Sequence, residues 1–134
     1  MDASHKTTAL SAINDRLVPA DENDRSMAYY HWWPKKNSTE WITYEFPKPS
    51  KVSSSTVYWF DDEPWGGCRV PQSWKLYYKD EQGGWTPVSA AGTYGTKKGV
   101  PNTVEFTLVQ TTAMKLEVVL PKDNSAGVFE WEVE

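Results

Sequence analysis

The chain of 134 residues is predicted to fold as one all-β antiparallel sandwich, and three observations predict it. Apolar residues recur with a period of two. The alternating runs are short and separated by clusters of Pro, Gly, Asn and Asp. No stretch of a dozen residues keeps the 3.6-residue apolar period of an amphipathic helix, so helical layers are excluded as the main scaffold. A domain of this length buries enough surface to need no covalent staple. That suits a chain whose one cysteine, Cys68, has no partner for an internal disulfide and reads as a small buried filler.

The strands follow from the alternation. In residues 41–46, Ile42, Tyr44 and Phe46 share one face against Thr43 and Glu45, and Pro47 and Pro49 are expected to end the strand. In residues 73–79, Trp74, Leu76 and Tyr78 alternate with Lys75, Tyr77 and Lys79. The turn cluster DEQGG at 80–84 joins this strand to residues 85–88 as a hairpin. Val104, Phe106 and Leu108 alternate with Glu105 and Thr107, then Met114, Leu116, Val118 and Leu120 with Lys115 and Glu117. A last strand covers residues 128–133. Trp41, Trp74, Trp85 and Trp131 lie on these strands and are expected in the core, because a buried ring removes so much area from water. Two long segments, 14–33 and 61–71, are not regular strands throughout, and long irregular loops in a compact domain usually carry function.

Eight tryptophans and seven tyrosines are more rings than a small core needs, and surplus rings tend to sit at contact surfaces. One group stands in YYHWWPKK, residues 29–36. Adjacent residues of extended chain point to opposite faces, so one of Trp32 and Trp33 is expected inside and the other outside. A second group stands in WFDDEPWGGCRVP, residues 59–71, where turn residues around Trp65 leave little to bury it. The net charge of −4 counts against a nucleic-acid partner, which would require a basic stripe. No apolar run approaches the roughly 20 residues of a membrane span. The opening MDASHKTTAL lacks the regions of a signal peptide, and residues 1–9 read as linker before a single module at 10–134.

The order of segments carries a resemblance. It runs from Ala12-Ile13-Asn14-Asp15-Arg16 through Thr39–Pro49, Val57-Tyr58-Trp59-Phe60, Val70–Lys79 and Gly84-Trp85-Thr86-Pro87-Val88 to Ser125–Trp131. This resembles the discoidin or coagulation factor C-type galactose-binding-like domain, and within it the family 32 carbohydrate-binding modules of bacterial glycoside hydrolases. The resemblance implies an eight-stranded jelly-roll β-sandwich that binds glycan through loops at one end. It implies a non-catalytic, monomeric module excised from a larger secreted, periplasmic or cell-surface glycoside hydrolase, with that enzyme's catalytic domain as a partner.

The same resemblance implies the site residues. A pyranose presents an apolar C–H face and a rim of hydroxyls, so its site needs a ring and forked or charged groups. Here these are His31, Trp32, Trp33, Asp61, Asp62, Trp65 and Arg69. Arg69 can alternatively fork onto Asp61 or Asp62, and His31 can be a structural histidine. A structural calcium is implied at Asn14, Asp15 and Ser26 together with Glu130, since calcium takes six to eight hard oxygens. The acids at 61–63 can in principle serve a hydrolase, but glycoside hydrolysis needs a second acid across a cleft, which the sequence does not supply. The remaining alternative is a structural docking domain that packs on a catalytic neighbour and binds no sugar of its own.

Overall fold

The structure, a computed structural model, describes residues 2–3, 30–33, 35–63, 66–98 and 100–134. Among them lie seven strands and no helix: β1 (Asp2–Ala3), β2 (Tyr30–His31), β3 (Thr39–Phe60), β4 (Ser73–Lys79), β5 (Trp85–Pro87), β6 (Asn102–Val119) and β7 (Gly127–Val133). Every neighbouring pair is antiparallel, in the order β2-β7-β3-β6-β4-β5, with β1 pairing β3. Asp2 and Ala3 face Thr43 and Ile42, so the stretch expected as linker contains paired chain.

β3 and β6 are long because each serves both layers. The first half of β3 pairs with the second half of β6, from Thr39 opposite Val119 to Glu45 opposite Ala113. The register then shifts, resumes at Ser50 opposite Thr111 and runs on to Val57 opposite Asn102. β4 borders the first stretch along β6, and β7 borders the second along β3. The two layers close over one core, in which Ile42, Leu76 and Leu116 from one meet Val57, Val128 and Trp131 from the other. Pro47 and Pro49 therefore do not end the strand. They fall inside the first register shift, where a residue without an N–H removes no ladder bond, and they bend β3 from one layer to the other.

The expected alternation appears in burial. Ile42, Trp74, Leu76, Met114, Leu116, Val118 and Leu120 are buried. Leu108 is not, at 58% exposed. It lies in the second register shift, where residues 106–108 face Ser53 alone, so the bulge turns its side chain outward. Of the four strand tryptophans, Trp74 and Trp131 are core, Trp41 is half-buried and Trp85 is exposed, because its pairing opposite Lys79 puts it on the outward face of the edge strand β5.

Two polar devices fix the connections. Asn102 is buried and its amide donates to the carbonyls of Lys97 at 2.8 Å, Val100 at 3.2 Å and Val57 at 3.3 Å, while its oxygen accepts from the Lys97 N–H at 2.9 Å. The loop before β6 is thus moulded around one side chain. The indoles of Trp59 and Trp74, packed edge-to-face with centroids 5.5 Å apart, both donate to the Gly95 carbonyl and tie the same loop to the core. In the β4–β5 turn, Asp80 accepts from the amides of Gln82 and Gly84 and from the Thr86 hydroxyl, and Gly83 takes the left-handed φ of 84° that the turn requires. Those bonds, led by Thr86 and then Gly84, hold the Asp80 carboxyl below the usual carboxylate range.

Asn102→Ala should cost about 1–3 kcal/mol in urea unfolding, because the Lys97 N–H and the carbonyls around it lose their partner inside the fold. For Asp80 the folded pKa lies below the unfolded one, so its contribution is present above the unfolded value and is lost as pH falls through the folded value. The difference in melting midpoint between wild type and Asp80→Ala should therefore close as pH falls from the unfolded carboxylate value through the lower folded one.

Candidate functional site

Three segments meet where β3 leaves the sheet: the end of β2, the loop 61–72, and residues 121–127 entering β7. Tyr30 and His31 pair with Val128 and Gly127. That register decides which tryptophan is inside. Tyr30 and Trp32 turn into the core, edge-to-face at 5.2 Å, whereas His31 is half-buried and Trp33 is 42% exposed.

The loop is closed by its own carboxylates. Asp61 is buried and accepts from the Glu63 N–H at 2.9 Å and the Val70 N–H at 3.2 Å. Asp62 accepts from the Cys68 N–H at 2.8 Å, and its main chain exchanges bonds with Cys68 and Gly66. Arg69 uses its fork inward, donating to the carbonyls of Gly66 and Cys68, each at 2.8 Å, with Asp62 at 3.5 Å and Glu63 at 3.4 Å. Lys98 approaches Glu63 at 3.8 Å and Asp61 at 3.9 Å from the loop before β6. On the other side, the Ser125 N–H donates to the Gly67 carbonyl and its carbonyl accepts from the Arg69 N–H, fastening the loop to the approach of β7.

Two glycines let the ring come close. The Trp33 ring lies so near Gly67 that a Cβ there would run into it, and a Cβ on Gly66 would run into the Asp62 carboxylate. The Lys36 ammonium stands 5.2 Å from the Trp33 ring centroid. The result is a cavity of about 400 Å³ lined by His31, Trp33, Phe60, Asp62, Gly66, Gly67 and Cys68.

Of the residues expected here, His31, Trp33 and Asp62 converge on this cavity. Trp32 does not reach it, since it is core, and Asp61 is an internal brace of the loop. Arg69 shapes the wall by holding the carbonyls of Gly66 and Cys68. Trp65 lies outside the described residues. Phe60, Gly66, Gly67 and Cys68 complete the lining without having been singled out for it. Only the turn character of Gly66-Gly67 hinted at a close approach, and nothing near them pointed to Trp33.

A larger cavity of about 490 Å³ runs beside β3 and β7, with Tyr44, Phe46 and Trp131 among its lining. Its rings are spent on one another: Tyr44 packs on both Phe46 and Trp131, and the Trp131 indole donates to the Ser55 hydroxyl at 2.8 Å. It offers no ring standing free to take a flat ligand, so the loop cavity is the better candidate.

Of the expected calcium ligands, Glu130 is buried on β7 opposite Tyr58, and Asn14, Asp15 and Ser26 lie outside the described residues. The Tyr58 hydroxyl is pushed up by burial and then by the charges of Glu132 and Glu130. Among the described residues no group of three or more His, Cys, Asp or Glu gathers to hold a metal.

A structure from the Streptococcus pneumoniae beta-galactosidase BgaA superposes with a TM-score of 0.80 at 18% identity, covering 98% of this chain and 88% of that one. The family 32 carbohydrate-binding module of S. pneumoniae EndoD superposes at 0.67 with 13% identity, covering 100% and 92%. The family 32 module of Clostridium perfringens NanJ, solved in complex with galactose, does so at 0.64 with 18% identity, covering 98% and 91%. These likenesses establish a shared sandwich fold. The F5/8 type C domain family matches residues 3–133, nearly the whole chain, and the protein belongs to that family of non-catalytic modules.

Proposed function

We propose that the protein is a carbohydrate-binding module that takes glycan in the loop cavity. The observation that carries this is the Trp33 ring, exposed and seated over Gly67 beside His31 and Asp62. A ring held in place by backbone offers a flat apolar surface to the C–H face of a pyranose at little cost in order. His31 and the Asp62 carboxylate stand at the same cavity for the hydroxyl rim. Asp61, Arg69 and Lys98 support the wall without being consumed by the ligand. The galactose complex of the NanJ module is in keeping with this reading.

The module belongs, in this reading, to a secreted, periplasmic or cell-surface glycoside hydrolase whose catalytic domain it brings to the glycan. A single shallow site yields weak affinity, with Kd on the order of 0.1–1 mM, and gains strength through avidity on polymeric glycan. Calcium held by Glu130 with Asn14, Asp15 and Ser26 is part of the proposal, with a stabilising role.

Calorimetric or NMR titration against a panel of mono- and oligosaccharides tests the site. Trp33→Ala should weaken binding by about 1–3 kcal/mol while the domain stays folded. Gly67→Ala should weaken it as well, because its methyl displaces the ring. A wild-type protein that binds nothing in the panel, or a Trp33→Ala variant that binds normally, overturns the reading. For calcium, a chelator should lower the melting midpoint, and a hundredfold excess of ion over its Kd corresponds to about 2.7 kcal/mol. An unchanged midpoint removes calcium from the account.

A further inference from the structure

A second group of rings stands on the outward face of the layer built by β3, β6, β4 and β5, away from the residues lining the loop cavity. Thr43, Lys115, Tyr77 and Pro87 form one row across the four strands, Lys79 faces Trp85, and Lys75 faces Glu117. The Lys115 ammonium sits 4.7 Å from the Tyr77 ring centroid and 5.5 Å from that of Trp85, and 3.7 Å from Glu117. The Tyr77 hydroxyl donates to Glu117 at 3.3 Å. Burial, then the Glu117 charge, pushes that hydroxyl up.

This cluster is ordered by its own contacts, so a ligand settling on it would find rings whose rotamers are already set. Trp85 is 36% exposed and takes no part in the hydrophobic core. Lysines outnumber carboxylates on the strands of this face, in a protein of net charge −4. Lys75, Lys79 and Lys115 stand here with Glu117, which pairs with Lys115, and Glu45 on β3, while Asp80 and Glu81 lie in the turn beyond, Asp80 accepting from Gln82, Gly84 and Thr86.

We propose that this face is a second saccharide subsite, selective for carboxylate-bearing polysaccharide, in which a pyranose stacks on Trp85 and a ligand carboxylate is met by Lys79. It deepens the glycan-binding reading and rests on it for the class of ligand. Charge complementarity selects the acidic polymer over a neutral one, since a carboxylate gains from the ammonium group what a hydroxyl cannot.

The test uses the full chain with a linear polyuronate, alginate, and a neutral polymer of similar length, dextran. Titration followed by the tryptophan indole N–H resonances should move the Trp85 signal with alginate and not with dextran. Trp85→Ala should weaken alginate binding by about 5- to 100-fold. Lys79→Glu, which leaves the ring in place, should weaken it too and flatten its loss between about 50 and 500 mM salt. Trp33→Ala should leave alginate binding within about twofold, so failure of the loop cavity and failure of this face are told apart. Alginate binding unchanged in both Trp85→Ala and Lys79→Glu, equal binding of dextran, or a self-association that Trp85→Ala abolishes would each overturn the proposal.

Discussion

The pairing of β3 with β6 is the constraint on which the molecule rests. Both strands pass from one layer of the sandwich to the other, and the ladder between them breaks between Glu45 and Ser50 and again between Val52 and Ser54. Each break lets the strands bend without leaving their partner. The two layers are therefore joined by continuous hydrogen-bonded chain as well as by packed side chains. It also fixes the site, because β3 ends at Phe60 where β7 begins opposite it at Gly127, and the loops from both leave the sandwich together. Gly127 is needed at that junction, since a Cβ would press on the Tyr30 carbonyl at 2.9 Å and on the Phe60 ring at 3.0 Å.

The loop cavity is made by polar groups that work on the backbone. Asp61 and Asp62 replace the sheet as acceptors for amides that would otherwise be buried without partners, and Arg69 serves the carbonyls in the same way. The buried ions are thus part of the loop's hydrogen-bonded frame, with Glu63 and Lys98 as an exposed outer ring that contributes little on its own. In the proposed reading, recognition is left to a ring, an imidazole and one carboxylate edge, which suits a ligand that is mostly hydroxyl and C–H surface.

The regular half of this structure was legible because it is governed by period two. Ile42, Trp74, Leu76 and the run from Met114 to Leu120 face inward as their spacing required. What the spacing could not express was context. Pro47 and Pro49 signal a missing donor, and only the register shows that the ladder was already broken there. Trp85 stands opposite Lys79 on the outward face of an edge strand and Leu108 falls in a bulge, and neither placement can be read from alternation alone. For the site, alternation between Trp32 and Trp33 was plain, but which one is outside depends on the pairing of Tyr30 with Val128. The contact of Trp33 with Gly67 joins residues far apart in sequence, and the inward use of Arg69 depends on how the loop closes. Trp65, Asn14, Asp15 and Ser26 lie beyond the described residues.

The strand order has a consequence for how such a module behaves among copies of itself. Among the described strands the path ends on β2, with two residues, and β5, with three residues closing on Pro87, and β1 adds two residues beside β3. Unpaired amides and carbonyls along an open edge are the template on which other chains add as further strands. These two end strands are too short, and one of them too poor in donors, to offer that template. Copies crowded side by side therefore find no long free edge at either end of this path.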